Sequence, residues 1–250
     1  MVSTMLRSRL TRAQRLGLAL AWISLLAVVS IVALPTSAKE KRGQLPAVNN
    51  FATARFKLLT TTEGGGEQGV AFGGGAVVLP DRTQVWLGSN DSPELIDIIQ
   101  IGPTIYMRVG DKPWEKSENA PVGNEQAQPV SAQFNALQQS ATAILDLGEA
   151  NAGDVPTHHY QVWLSGAKAL ELAGGSTEGL PDEFRDLIEK SAFKYDFWVG
   201  TQDGFLHQQM TSVMLPKTKI GDVEVPELTT TSLVTFYSIN DPNISVNAPI

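Results

Sequence analysis

Cysteine is absent from all 250 residues. That absence excludes disulfides, thiolate metal sites, thiol nucleophiles and an acylated cysteine anchor together. Positive charge is scarce as well, with a net charge of -7. Four of the 19 basic residues and none of the 26 acidic ones lie in the first 38 positions, which leaves 15 against 26 in the remainder. A surface of that sign repels phosphate backbones, so nucleic acid is discarded as a partner. Histidine occurs only as His158, His159 and His207. The first two are adjacent in a β-rich run and point to opposite faces, so they cannot hold one metal together. No metal and no cofactor is expected. Internal repeats and low-complexity tracts are missing too, which excludes solenoids and propellers.

What is present suits one globular domain with a real core: 42% hydrophobic and 18% charged residues, with 22 glycines and 14 prolines for turns. Ahead of it, residues 1–38 combine Arg7, Arg9, Arg12 and Arg15, an uncharged apolar run from Leu16 to Leu34, and small residues at Thr36 and Ala38. This is the layout of a signal peptide cleaved after Ala38, and the run is also long enough to stay as a membrane anchor. Both readings place the rest of the chain outside the cytoplasmic membrane. Residues 39–50 read as a polar linker, and 51–250 as the domain.

The clearest structural signal is the pair of β-rich runs Leu95 to Ile101 and Thr104 to Val109, separated only by Gly102-Pro103, an antiparallel hairpin. Strands are also expected over 54–62, 68–79 and 83–89, with Gly73-Gly74-Gly75 marking a bulge or sharp bend in the second. From Pro129 the period changes. Val130, Phe134, Leu137, Ala141, Ile144 and Leu145 form a helical stripe that Gly148 ends. Further strands are expected over 157–164, 193–199, 205–215 and 227–239, with a short helix over 181–190. The sum is about nine mostly antiparallel strands with two helices, an α+β domain.

Catalytic patterns are weak. Ser165 to Lys168 and Ser191 to Lys194 match Ser-x-x-Lys, but the serine of that motif opens a helix, and here one serine is expected at a strand end and the other at a helix end. The glycine triplets lack the following helix that a phosphate loop requires. No enzymatic activity is expected. The remaining signal is bulky apolar side chains on strands: Trp86, Trp114, Trp163, Trp198, Phe197, Met107, Met210 and Met214. They suit either core packing or the lining of a pocket for a flexible chain.

The Gly-rich strand ending in Val77-Val78-Leu79-Pro80-Asp81-Arg82, the Ile96-Asp97-Ile98-Ile99-Gln100-Ile101-Gly102 hairpin followed by Ile105-Tyr106-Met107-Arg108 and Trp114, the His159-Tyr160-Gln161-Val162 strand, and Phe197-Trp198-Val199 before Asp203-Gly204 resemble the LppX/LprG-type lipoproteins of the LolA/LolB-like superfamily. The resemblance spans about residues 50–248. It implies a curved, half-open antiparallel β-sheet, an incomplete barrel, packed around one or two helices, with an apolar cavity that carries a lipid or the acyl chains of a lipoprotein across the cell envelope. It supplies no catalytic residues. The chain departs from the LppX pattern in lacking the lipidated cysteine, so it is expected to be a soluble monomer or held by residues 16–34. Ile96, Ile98, Ile105, Met107, Tyr160, Val162, Leu164, Phe197, Met210 and Phe236 are the expected lining. The alternative is an RseB-like sensing module of the same fold that binds a protein partner.

Overall fold

A computed structural model describes residues 43–118, 129–172, 182–220 and 223–249. The signal peptide or anchor over 1–38 and the start of the expected linker lie outside these. Among the described residues, one antiparallel sheet dominates. Its first half is a meander of β1 (Thr53–Gly64), β2 (Glu67–Val78), β3 (Arg82–Ser89), β4 (Ser92–Ile101), β5 (Thr104–Val109) and β6 (Glu115–Glu118). Its second half holds β7 (Ala143–Ala152), β8 (Val155–Ser165), β9 (Ala192–Gly200), β10 (Leu206–Leu215) and β13 (Leu228–Tyr237). The 11 strands run in the order β6-β5-β4-β3-β2-β1-β13-β10-β9-β8-β7, and β11 (Thr218–Ile220) with β12 (Val223–Val225) forms a separate hairpin. The last strand of the chain thus slides in beside the first and joins the halves. The edges β6 and β7 do not pair, so the sheet is open rather than a closed barrel.

Both edges carry features that discourage pairing with another chain. β6 is the charged tetrapeptide Glu115-Lys116-Ser117-Glu118, and β7 carries Asp146 and Glu149 with a bulge between Asp146 and Gly148. The hairpin read from sequence is present: Ile101 pairs with Thr104 across Gly102-Pro103, with Gly102 at φ 53°.

Three helices are found among the described residues: α1 (Val130–Ser140), α2 (Gly166–Leu172) and α3 (Asp182–Lys190). Val130, Phe134 and Leu137 form the buried stripe of α1. Its exposed first turn is capped from afar, because the backbone N–H of Ser131 donates to Asn50 Oδ1 at 3.0 Å. The helix is shorter than its stripe suggests. Ala141 leaves helical geometry at φ -59°, ψ 138°, and Ile144 and Leu145 belong to β7. Gly148 sits in the β7 bulge at φ 85° rather than ending a helix. The misreading has a physical cause: the ladder to β8 outweighs a period continued for only two more apolar residues.

Two other expectations change. The segment read as a linker sends two side chains into the core: Leu45 and Val48 are buried, and Asn49 N–H donates to the Gly204 carbonyl at 2.9 Å. The glycine triplet is not a bulge, since β2 keeps register with both neighbours. A Cβ at Gly75 would run into the Gln84 carbonyl oxygen, and one at Gly73 into that of Trp86. These two glycines allow close approach of neighbouring strand backbones. Gly74, on the other face, lies under the Trp86 indole, 3.3 Å from Nε1 to where a Cβ would stand.

Candidate functional site: the helix-bearing face of the sheet

Strict antiparallel register sorts every strand residue to one of two faces. On one face a row runs Tyr160, Phe197, Gln209, Val234, Leu58, Gly73, Leu87, Ile96 from β8 to β4, each paired with the next. A flanking row runs Phe236, Phe56, Gly75, Val85, Ile98, Met107. The helix α1 lies on this face, with the Phe134 and Phe197 ring centroids 4.6 Å apart, and residues 45–51 lie beside it, with Phe51 and Phe236 at 5.7 Å.

Nine of the ten residues expected to line the cavity fall on this face. Val162, Leu164, Phe197, Ile98 and Phe236 are buried core, and Ile96, Ile105, Met107 and Tyr160 are half-buried against it. Met210 is the exception. It pairs with Leu233 and Asp196, on the face opposite Gln209, because the bulge between Leu206 and Gln208 shifts the alternation of β10 by one. The tryptophans separate in the same way: Trp86, Trp163 and Trp198 stand on the opposite face, and Trp114 lies under Arg108 there, 4.8 Å from guanidinium to ring.

The helix-bearing face has a chemical gradient. Over its middle it is aliphatic and aromatic, and along β1 and β13 it turns to hydroxyls. Thr60 and Ser232 share a hydrogen bond at 2.9 Å, Thr62 and Thr230 at 3.2 Å, and Gln209 Nε2 donates to Thr211 Oγ1 at 3.3 Å. Thr62 is half-buried, the other five are buried, and all are partnered, so their burial costs little. They were missed in the sequence because Thr and Ser on a strand suit either face, and only the register decides. Toward β4 and β5 the face is apolar and half-covered: Ile96, Ile105, Met107 and Val109 all retain exposure. The charged groups that register places on this face sit at its rim: Glu115 on β6, Glu94 at the start of β4, Glu67 at the start of β2, and Asp146, Glu149 and His158 at β7 and β8. The His158 hydrogen bond, with one from the Gly148 N–H, holds Asp146 below the usual carboxylate range. Burial pushes Tyr195, in the middle of the face, up to about 12. A separate crevice of about 310 Å³ opens between residues 43–46 and α1, lined by Leu45, Phe134, Asn135 and Gln138.

The two serine motifs resolve differently from their reading. Ser165 does open a helix: its Oγ accepts from the Lys168 N–H at 3.4 Å as α2 begins. The Lys168 ammonium, however, is engaged by Glu171 at 2.6 Å. Ser191 Oγ donates to the Leu187 carbonyl at 2.6 Å, and Lys194 reaches Asp196 instead, at 3.4 Å. His159 and His158 do point apart, to Asp196 and Asp146. No cluster of three metal-ligating side chains occurs among the described residues.

No family model matches the chain, and no curated protein does. Solved structures similar to it include the lipoprotein LppX of Mycobacterium tuberculosis, with a TM-score of 0.43 at 13% identity over 79% of this chain and 90% of that one. LprF from Mycobacterium bovis follows, with a TM-score of 0.41 at 10% identity over 80% of this chain and 90% of that one. A LolA superfamily protein from Nitrosomonas europaea gives 0.29 at 8% identity over 81% and 90%.

Proposed function

We propose that this is an exported binding protein that carries a lipid, or the acyl chains of a lipoprotein, against the helix-bearing face of its sheet. The observation that supports this most is the half-covered apolar surface of Ile96, Ile105, Met107 and Val109, continuous with the core and with its carboxylates, Glu115 on β6 and Glu94 at the start of β4, at the rim. An acyl chain laid there gains about 0.8 kcal/mol for each methylene removed from water, without any polar contact. A charged or strongly hydrated ligand would find nothing to replace its water. The protein acts as a monomer outside the cytoplasmic membrane, cleaved after residue 38 or held by residues 16–34, and performs no chemistry on its cargo.

Native mass spectrometry of the full chain, purified from a bacterial envelope without detergent and paired with organic extraction, tests the reading. Stoichiometric acyl lipid is expected, lost in Met107→Glu with the circular dichroism unchanged. A clean apo mass together with no uptake from lipid-labelled vesicles overturns it and favours a protein-binding module of the RseB kind.

A further inference from the structure

Among the described residues, the face of the sheet opposite α1 is covered by a separate segment in one region. Ile244 and Val246 of the C-terminal segment pack there against Ala76 and Ile99. Beyond that patch a second apolar row crosses the sheet, with Met210, Leu233, Leu59, Phe72 and Gly88 paired in succession from β10 to β3. A Cβ at Gly88 would stand 2.9 Å from both Phe72 and Leu95, so this glycine lets the two side chains meet over it. Phe72 also contacts Trp86 edge to face at 6.3 Å. Leu59, Phe72, Trp86 and Leu95 remain 40–45% exposed, together on one face. Core packing does not explain them.

The charges beside this row lean positive, with Glu63 the exposed carboxylate at the far end of β1, where it accepts from Gln68 Nε2 at 3.3 Å. Arg55 and Lys57 lie on the same face of β1, exposed, with Ala76, Tyr237, Gly74 and Thr235 as cross-strand neighbours, and form no ion pair among the described residues. Lys57 rests 5.7 Å from the Tyr237 ring. Three further carboxylates on this face are engaged: Asp97 by Arg108 at 2.6 Å, Glu118 by Lys116 at 2.6 Å, and Asp196 by His159 and Lys194. On a chain of net charge -7, two unpaired cations flanked by Trp, Tyr, Phe and Leu are a local reversal of sign. That combination is what the interface of an anionic bilayer accepts: aromatic and aliphatic groups at the headgroup boundary, cations against phosphate.

We propose that the helix-free face, centred on Leu59, Phe72 and Trp86 with Arg55 and Lys57, docks on the surface of an anionic phospholipid membrane. The absence of cysteine makes the test direct. In the full chain, Gln84→Cys places a single thiol on β3 beside Trp86, labelled with an environment-sensitive nitrobenzoxadiazole dye, and Glu149→Cys places a control on the far edge. Any tether from the N-terminal segment is common to both. With phosphatidylglycerol-containing vesicles the dye at 84 is expected to shift to the blue, with quenching by lipid-borne nitroxide rising several-fold. The change should vanish in phosphatidylcholine alone, in high salt and in Arg55→Gln/Lys57→Gln, while position 149 stays in water. No shift at 84, or an equal shift at both positions, overturns the proposal. So does a shift that grows with protein concentration without vesicles, which identifies a second copy as the occupant.

Discussion

The two faces of this sheet solve the problem of a buried surface differently, and consecutive residues of β9 show how. Phe197 and Asp196 are each 1% exposed, yet they point to opposite sides. Phe197 is covered by a helix and by neighbours of its own kind, in contact with Phe134 and the Tyr195 row. Asp196 is covered by side chains of the sheet itself: His159 Nε2 at 2.9 Å, Gln161 Nε2 at 2.9 Å and the Lys194 ammonium at 3.4 Å. The His159 ring in turn stacks on Trp198 at 4.3 Å, and Trp163 donates to Gln161 at 2.9 Å. One face is buried by a second layer of helix, whereas at Asp196 the other buries a charge with side chains of the sheet alone. The first kind of burial is driven by apolar area and leaves room for an apolar ligand. The second depends on hydrogen bonds and leaves the rest of the face open to other contacts.

This contrast can be broken most sharply at Phe197. Phe197→Ala is expected to lower unfolding free energy by about 4 kcal/mol, the cost of a large cavity under α1, read from denaturant midpoints. Asp196→Ala should cost less, about 2 kcal/mol, because Lys194 and His159 keep partial contact with water once the carboxylate is gone. If Asp196→Ala proves the more damaging, the polar cover and not the helix layer holds the second half together. Titration separates the faces again. Tyr195 is raised from 10.0 to about 12, so the folded state keeps a proton that the unfolded chain loses. Stability from this group is therefore complete below pH 10 and falls by about 1.4 kcal/mol per pH unit between 10 and about 12. Tyr195→Phe should flatten that part of the stability profile. The smallest effect belongs to the open face: Leu59→Ser and Phe72→Ser are expected to change stability by no more than about 0.5 kcal/mol, the ordinary value for exposed positions. A larger loss would mean that the row is structural.

Much of the fold was legible in the chain. The Gly102-Pro103 hairpin, the antiparallel series and the stripe of α1 follow from turn chemistry and period, which act over neighbouring residues. The legible part of the candidate site was its membership: alternation along β4, β5, β8 and β9 is enough to select Ile96, Ile98, Ile105, Met107, Tyr160, Val162, Leu164 and Phe197. Where reading failed, long-range pairing had intervened. Ile144 and Leu145 continue the α1 period but pair with β8, Met210 is turned outward by a bulge, and the polar start at Leu45 and Val48 is drawn into the core by contacts with distant segments.

By itself the sequence determined the alternation of its strands, the place of its tight turns, the exclusion of thiol chemistry and the acidic character of the domain, because each depends on residue type and near spacing alone. Only the tertiary structure decided which side of each strand became the interior. It placed β13 between β1 and β10, gave Asn50 to the first turn of α1, buried Thr60 and Ser232 as a hydroxyl pair, and left Leu59, Phe72 and Trp86 facing outward. The reason is that a strand carries two faces of comparable chemistry, and the choice between them is made by the strand that arrives beside it, often from the far end of the chain.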